Sequence, residues 1–473
     1  MKKIIIGISA LFVVVISVII VGLLSIKSIV TRDFIVKQLE TSLNVRADLR
    51  QININLFSAL SSIELEDLSL YKRDNFADEA KELSERTSLS ESNSIISIKK
   101  IELKLNFLAL IQRKFQVKSF TLMQPVVQLI LNDNTNNISN LFQKPKIVEG
   151  KPNPALTETD KQKDTETKED DKPFSIQTIP IAADIDKVGI ENGQINILIQ
   201  KTLQKIAIKN LTLLLTHIDI DPANLEKHNS ISLKFDLTTS VIDSAEKETA
   251  LFKIISNGAI VPFVAKTGYI NPSVNYYLTL LQGSYIDGLS ILDALSGKLP
   301  MLAESGIHLD SLSKKAELLH NVDIALNYSN HRITFMKEVV FGTANYDLSL
   351  DTGSWLNITT NEHSFKGAVL ASKQESDKAV SGIDSFIQSK IKQGNPIEIR
   401  NKLLGNLLKG DRINLPFISN GNIKSANVQL AVTLPSVLEL TKGIMGDILK
   451  NEVNKRLPTE AKDIINNGLK KLF

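Results

Sequence analysis

The chain has 473 residues, of which 43% are hydrophobic and 23% are charged. This composition supports a large core and excludes a chain that is disordered or membrane-embedded as a whole. The 55 basic residues exceed the 52 acidic residues by only 3, which argues against a protein that coats nucleic acid. There is no cysteine, so disulfide scaffolds, thiolate zinc sites and iron–sulfur clusters are excluded.

The amino-terminal segment is an almost unbroken apolar run over residues 4–26, preceded by Lys2 and Lys3. A helix of about 23 residues is roughly 34 Å long, which is enough to cross a hydrocarbon core of about 30 Å. A cleaved signal peptide is the alternative, but the run is too long for one and Leu24–Lys27 contains no small-x-small cleavage site. We therefore expect a single transmembrane anchor over residues 1–30, with the rest of the chain outside the cytoplasm.

Residues 31–148 change from a helical to a strand-like pattern. The apolar spacing of Ser28–Leu43 predicts a short helix. Apolar residues then recur at every second position, as they do in strands with one buried face. After Ile63 and Leu65 the alternation resumes one residue late, at Leu68, which predicts a β-bulge.

Two polar segments are predicted to lie outside the sheet. The Ser- and Glu-rich stretch Asp74–Asn93 is typical of a solvated loop with some helix. Residues 149–174 consist mainly of Lys, Glu, Asp, Thr and Pro. Such a segment buries too little apolar surface to offset its ordering entropy, so we expect a charged flexible linker there.

Residues 175–434 return to the strand-like alternation and contain the turn sequence Glu191–Gly193. Two stretches with helical spacing, Tyr285–Leu302 and Ile383–Leu408, interrupt it. Residues 435–473 predict an amphipathic carboxyl-terminal helix, which either caps the sheet or lies on a membrane or a protein partner. The sequence therefore predicts a mostly β protein with a few flanking helices.

Catalytic and metal-binding motifs are absent from the sequence. It contains no H-E-x-x-H, G-x-S-x-G, G-x-G-x-x-G or EF-hand pattern. The 6 histidines stand far apart, which is more typical of surface or loop residues than of metal ligands. Asp219 and Asp221 would share one face of a strand, but two carboxylates alone are a weak cation site. We therefore expect no enzyme activity and no cofactor. An anchored hydrolase is the weakest alternative, because the sequence shows no nucleophilic residue with a recognisable general base.

Short motifs on both sides of the linker share a pattern of strand, turn and strand. They are Phe107–Leu110, Val117–Leu122, Pro125–Leu129, Asn137–Leu141, Ile190–Ile195, Ile208–Leu213 and the closing run Ala426–Leu434. With the single anchor and the short helix, these motifs resemble the AsmA family of bacterial envelope proteins. One turn departs from the family's D-G-x-x-N pattern, because Asn132–Asn137 contains no glycine.

The resemblance implies an inner-membrane protein whose bulk lies in the periplasm. It implies an elongated, curled antiparallel β-sheet with an apolar groove, related to bridge-like lipid transfer proteins. Family members are linked to phospholipid traffic toward the outer membrane and to its integrity. Each CH₂ group buried is worth about 0.8 kcal/mol, so an apolar groove would remove most of the penalty for moving lipid chains through water.

The apolar alternate positions after the linker are the candidates for the lipid groove. These candidates are Ile195, Ile197, Ile206, Ile208, Leu211, Leu213, Leu215, Ile231, Leu233 and Phe235. The same stripes could instead pack against a second sheet as a sandwich core. The expected partners are phospholipid, the inner membrane through residues 4–26, and an envelope protein at the carboxyl-terminal helix; no nucleic acid is expected. A structural or assembly factor for outer-membrane biogenesis that binds no lipid is the alternative function.

Overall fold

The structure of the protein is a computed structural model. It describes residues 31–55, 60–74, 76–79, 81–106, 117–133, 135–139, 141, 147–148, 151–152, 175–178, 183–288, 315–390, 396–405 and 407–432. The predicted anchor at residues 4–26 and the predicted helix at residues 435–473 lie outside these residues, as does most of the predicted linker. Within the described ranges, no helix is both long enough and apolar enough to cross a membrane.

The described chain is mostly β, as its alternating pattern predicts. Twenty strands belong to one mixed sheet, and two further strands form a separate hairpin. The chain divides into two compact units, Met1–Tyr276 and Tyr277–Phe473.

The first unit begins with a helix and continues as a series of long strands. Its elements are α1 (Arg32–Ser42), β1 (Val45–Asn55), β2 (Leu60–Lys72), α2 (Phe76–Glu79), 3₁₀ turns at Leu83–Glu85 and Glu91–Asn93, β3 (Ile96–Asn106), β4 (Val117–Leu131), β5 (Ile147–Val148), β6 (Lys151–Pro152), a 3₁₀ turn at Ile176–Thr178, β7 (Ala183–Ile199), β8 (Gln204–Ile220), β9 (Asn229–Ile242), β10 (Glu248–Phe263) and β11 (Ile270–Leu280), which continues into the second unit.

Strands β1, β2, β3, β4, β7, β8, β9 and β10 pair in that order. Every pair in the series is antiparallel except β4 and β7, which are parallel. The prediction of an antiparallel sheet is therefore wrong at this point. The connection 132–182 has to return to the level where β4 began, so that β7 runs in the same direction as β4.

Helix α1 covers one face of β1 to β4. The side chain of Thr31 accepts a hydrogen bond from the backbone N–H of Phe34 and so caps the amino end of the helix. Ile35 and Leu39 are about 99% buried and pack in one cluster with residues of the four strands, among them Leu103. Fully burying an aliphatic side chain stabilises the fold by about 1.5–3 kcal/mol. The apolar stripes of β1 to β4 thus form a closed core.

A line of backbone irregularities crosses the first unit. Asp67, Gln124, Asn192 and Asn210 have positive φ angles of 52°, 49°, 54° and 52°. The strand registers place these four residues at one level across the sheet, where the pairing is interrupted. The phase change predicted before Leu68 is confirmed, but it is not a bulge: β2 pairs with β1 and β3 on both sides of Asp67 without a register shift, so Asp67 is not an extra residue relative to its neighbours.

The carboxylate of Asp67 is held in place at this irregularity. Lys99 Nζ lies 2.7 Å from Asp67 Oδ1, and Arg50 Nε lies 2.5 Å from Asp67 Oδ2. The hydrogen bond from Lys99, supported by Arg50, keeps the pKa of Asp67 below its usual range. The irregular backbone at this level is therefore stabilised by side chains of both neighbouring strands.

The insertion Asp74–Asn93 is tied to the body of the first unit by buried ion pairs. The three pairs are Arg46–Asp78 at 3.0 Å, Arg73–Glu79 at 2.8 Å and Arg86–Glu40 at 2.8 Å. Burial raises the pKa of Glu79 above its ordinary value, against the effect of nearby Arg73. Most of residues 81–93 are exposed, so the prediction of a solvated loop with some helix is confirmed there. The buried side chains of Asp78, Glu79 and Arg86 are the exception, because the composition does not reveal their charged partners.

The second unit consists of shorter strands and two helices. Its elements are β12 (Tyr285–Ile286), β13 (Ala316–Glu317), β14 (Val322–Ser329), β15 (Arg332–Phe335), β16 (Val339–Gly342), β17 (Tyr346–Leu350), β18 (Trp355–Asn357), β19 (Glu362–Ala371), α3 (Lys373–Lys390), α4 (Pro396–Leu404), β20 (Leu408–Lys409), β21 (Arg412–Asn422), a 3₁₀ turn at Ile423–Ser425 and β22 (Asn427–Leu430). Strands β17, β19, β21 and β22 pair in that order, all antiparallel.

Helix α3 closes the core of this unit. Ile383 and Ile387 are at most 1% exposed and cluster with buried residues of β19 and β21. The predicted helical stretch Ile383–Leu408 is confirmed as two helices, although the first begins earlier, at Lys373. Within Tyr285–Leu302, the structure instead places the first two residues in β12, and the remainder beyond residue 288 lies outside the described residues.

Tyr346 provides a test of packing in the second unit. Its side chain is 1% exposed, its hydroxyl has no hydrogen-bond partner among the described residues, and burial raises its pKa to about 12.

Tyr346→Phe should raise the free energy of unfolding by about 1 kcal/mol, because an unpaired buried hydroxyl is lost. Amide hydrogen exchange in β17 and β19 measures the change. Tyr276→Phe is the control and should be destabilising, because the Tyr276 hydroxyl lies 2.5 Å from Ser256 Oγ; a similar loss at both positions would contradict the prediction.

Candidate functional site

The structure places all ten groove candidates on β7, β8 and β9. Directly paired residues of neighbouring strands point to the same side of a sheet, so the register shows which residues share a face. The pairs that involve candidates are Ile195–Ile208, Ile197–Ile206, Gly193–Leu211, Ile190–Leu213, Val188–Leu215, Leu213–Phe235, Leu215–Leu233 and, between β9 and β10, Ile231–Ile260. We call this side of β7 to β10 the apolar face.

Sequence reasoning missed further members of the apolar face. Register and alternation add Val188, Ile190, Leu237, Val241, Phe252 and Ile254 to the ten candidates. Strand β10 was not predicted, because its apolar alternation is followed by Ser256 and Gly258. The signal that could have found it is the spacing of Phe252 and Ile254 before that interruption. The apolar face therefore extends over four strands.

The apolar face continues the closed core of β1 to β4. Phe120 in β4 pairs with Val188, which pairs with Leu215, which in turn pairs with Leu233. Ile197 packs against the core beneath α1. Apolar rows therefore run across the strands from the part of the sheet that α1 covers to β9.

Burial distinguishes the two ends of these rows. Leu65, Leu103 and Phe120 are at most 1% exposed. Nine of the ten candidates are only half-buried, and the tenth, Leu211, is 8% exposed. The described residues thus leave much of the apolar face accessible, unlike the core of β1 to β4.

The opposite side of the same strands is polar. Lys205, Lys209 and Lys234 lie there with serine and threonine residues, and Lys234 Nζ is 3.1 Å from Asp236 Oδ2. Leu214 is a leucine on this side, because it pairs with Lys234. The strands are therefore amphipathic. The polar side is suited to contact with solvent, and the apolar face is suited to contact with an apolar ligand or another apolar part of a protein.

Polar groups beside the apolar face are hydrogen-bonded to protein groups. The Ser256 hydroxyl donates to the carbonyl of Phe235 and contacts the Tyr276 hydroxyl. Burial raises the pKa of Tyr276, so its phenol stays neutral. This part of the face presents no charge, which suits hydrocarbon chains better than a polar substrate.

The carboxylates considered for a cation site do not converge. Asp219 lies 3.0 Å from His228 Nδ1, whereas Asp221 Oδ1 accepts a hydrogen bond from the backbone N–H of Ala223. Across the described residues, no group of three or more His, Asp or Glu side chains could hold a metal ion. The polar residues at the end of β8 thus form local turn contacts.

His363 differs from its prediction as a surface or loop residue. It lies in β19, is 2% exposed, and packs against Phe365 with ring centroids 4.8 Å apart. Its Nδ1 is 2.7 Å from the carbonyl oxygen of Gly421, and its Nε2 is 2.7 Å from Ser419 Oγ. Both ring nitrogens are engaged in the core of the second unit, which identifies His363 as a structural residue.

Comparison of the chain with protein-family models, curated proteins and solved structures finds no match in any of the three. The resemblance to the AsmA family stays a prediction. The half-buried apolar face of β7 to β10 is the feature from which a function can be inferred.

Proposed function

We propose that the protein binds the acyl chains of phospholipid on the apolar face of β7 to β10. In this proposal it is an AsmA-like protein of the inner membrane that carries phospholipid through the periplasm toward the outer membrane and supports envelope integrity. The observation that carries the proposal is the partial exposure of nine aliphatic or aromatic side chains on one continuous face. Contiguous exposed apolar surface of this kind marks an interaction site.

The chemistry of the face favours alkyl chains over other apolar ligands. Its members are almost all Ile, Leu and Val, with Phe235 and Phe252 as the rings, and such side chains offer dispersion contacts without directional bonds. Four strands at about 4.8 Å spacing make a strip roughly 14 Å wide. Such a strip accommodates flexible chains without fixing their position, which suits a carrier that has to load and release its cargo.

One further feature supports a membrane-anchored protein. The apolar run at residues 4–26 is long enough for an anchor that would hold the groove beside the inner membrane. The proposed transport toward the outer membrane and the proposed periplasmic location of the groove follow from the resemblance to the AsmA family alone.

Photocrosslinking in the full-length chain tests the proposal. A photoreactive residue replaces Leu213 or Leu233 on the apolar face, and Leu214 serves as the matched control because it is also a half-buried leucine but lies on the polar side. We expect phospholipid adducts at the first two positions and few or none at the third, measured by mass spectrometry after extraction. Adducts only to protein at Leu213 and Leu233 would contradict lipid binding and favour a structural or assembly factor.

A further inference from the structure

The turn between β10 and β11 presents apolar side chains to its surroundings. We call residues 261–270 the β10–β11 tip. Val264, Tyr269 and Ile270 are 36%, 40% and 63% exposed. Lys266 is the only charged residue of the tip. Exposed large apolar residues scattered singly need no explanation, but three within seven residues at the end of one hairpin do.

Several backbone groups of the tip are hydrogen-bonded within the tip. The N–H groups of Thr267 and Gly268 donate to the carbonyl of Val264 at 3.2 and 2.7 Å, and the N–H of Val264 donates to the carbonyl of Tyr269 at 2.9 Å. A turn in water does not require such internal hydrogen bonds, because water can pair with its exposed N–H and carbonyl groups. A turn that enters a membrane does require it, since hydrocarbon offers no partners.

A separate segment of the chain pairs three further carbonyls of the tip. Ser175 Oγ donates to the carbonyl of Thr267 at 2.7 Å, and the N–H of Ile176 donates to the carbonyl of Gly268 at 3.0 Å. Gln177 Nε2 is 3.4 Å from the carbonyl oxygen of Ala265. The segment just before β7 therefore removes hydrogen-bonding capacity from the tip.

Gly268 allows this close approach. Its φ is +66°, and a Cβ atom there would lie 2.6 Å from Ser175 Oγ and 2.8 Å from Gln177 Cγ. Both the backbone conformation and the space therefore call for glycine. The result is a tip in which much of the polar backbone is paired and the side chains of Val264, Tyr269 and Ile270 are exposed.

From these observations we propose that the β10–β11 tip inserts into the interfacial region of a lipid bilayer. Tyrosine and lysine beside aliphatic residues are the side chains that membrane interfaces favour, because a ring or an alkyl stem lies in the apolar layer and the polar end reaches water. The tip also lies at one end of the apolar face, where Ile231 and Ile260 pair. The inference rests on the proposed function insofar as a lipid-binding face needs access to a membrane.

Other turns of the same sheet have a different character. The β9–β10 turn at the opposite end carries Asp243, Glu246 and Lys247, and its Asp243 side chain accepts from the backbone N–H of Ala245 and Lys247. The β8–β9 turn, at the same end as the tip, carries Glu226 and Lys227. Neither of these two turns presents exposed large apolar side chains as the tip does.

The absence of cysteine makes a single-site fluorescence test possible. Tyr269→Cys in the full-length chain is labelled with an environment-sensitive fluorophore and reconstituted into vesicles of phosphatidylethanolamine and phosphatidylglycerol, with or without a phosphatidylcholine that carries a nitroxide on its acyl chain. We expect the nitroxide lipid to lower the fluorescence about twofold or more. Leu203→Cys is the matched control, because Leu203 is 57% exposed in the β7–β8 turn at the opposite end, and its label should be unaffected. Equal quenching at both positions, or none at residue 269, would overturn the proposal.

A second variant separates this inference from the proposed function. Val264→Ser combined with Ile270→Ser, in the labelled Tyr269→Cys chain, should reduce the quenching to the level of the Leu203 control. The same serine pair should leave photocrosslinking at Leu213 to detergent-dispersed phospholipid unchanged, because that lipid needs no bilayer contact. If the chain with native Val264 and Ile270 gives no lipid adducts at Leu213 but is still quenched at residue 269, the result counts against the groove and not the tip. If quenching at residue 269 persists in the serine variant, the proposed role of the tip side chains is overturned.

Discussion

Alanine at Leu103 is expected to lower the free energy of unfolding by about 2–5 kcal/mol, whereas alanine at Leu213 should lower it by about 1 kcal/mol or less. Leu103 is fully buried beneath α1, so its truncation removes packing on all sides and leaves a cavity. Leu213 is only half-buried, so truncation there removes fewer contacts and solvent or ligand can enter. The comparison tests directly whether the apolar stripe of β8 is a closed core or an open face.

Amide hydrogen exchange is the measurement for this pair, because it reports the opening free energy of individual strands in a chain of two units. The amides of β2 and β3 report on Leu103→Ala, and those of β7 and β9 report on Leu213→Ala. Delipidated protein is used, so that bound lipid does not add to the stability at Leu213. Equal losses of several kcal/mol at both positions would mean that the two stripes are equally enclosed and would contradict the open face.

Arg86→Leu is expected to lower the free energy of unfolding by about 3–5 kcal/mol. The Arg86 and Glu40 side chains are each 9% exposed and lie 2.8 Å apart, so the substitution leaves a carboxylate in a largely dry site. Arg86 also donates to the carbonyl of Glu79 at 2.7 Å, so its side chain links the insertion internally as well as to Glu40 on α1. Amide exchange in α1 and β1 would measure the change.

The matched control for Arg86 is Lys37→Leu. Lys37 pairs with Glu82 at 3.6 Å, but its side chain is 59% exposed and that of Glu82 is 75% exposed. A pair of this kind contributes little, so no measurable change is expected. Adding Glu40→Gln to Arg86→Leu should restore part of the lost stability, because no unpaired charge then stays buried. A similar effect of Arg86→Leu and Lys37→Leu would contradict the importance of the buried pair.

Alternation alone predicted the mostly β fold, because the period of two is a local property of each strand. It also located the irregular backbone at Asp67, since the apolar phase changes between Leu65 and Leu68. It could not reveal the parallel pairing of β4 and β7, because strand direction depends on the path of the connection between them. Nor could it distinguish Leu103 from Leu213, because both lie in alternating aliphatic stripes and only the position of α1 separates them.

The chemistry of single residues was less accessible from the sequence. His363 is buried where β19 is flanked by β18 and β21, and the positions of single histidines in the sequence do not reveal which strands will lie beside them. The buried ion pairs of the insertion Asp74–Asn93 were not predicted, because their partners Arg46 and Glu40 are distant in sequence. Strand β10 was missed where Ser256 and Gly258 interrupt its stripe. Each failure concerns a contact that is made across strands and not along one.

The aligned backbone irregularities at Asp67, Gln124, Asn192 and Asn210 have a consequence for how this sheet can evolve. At each of these residues the apolar alternation along the strand skips one position, so that apolar side chains stay on one side along the whole strand. Deleting one of them would turn half a strand inside out while its neighbours kept their orientation. Strand lengths on either side of the line are therefore coupled, and insertions or deletions are expected to accumulate in the turns.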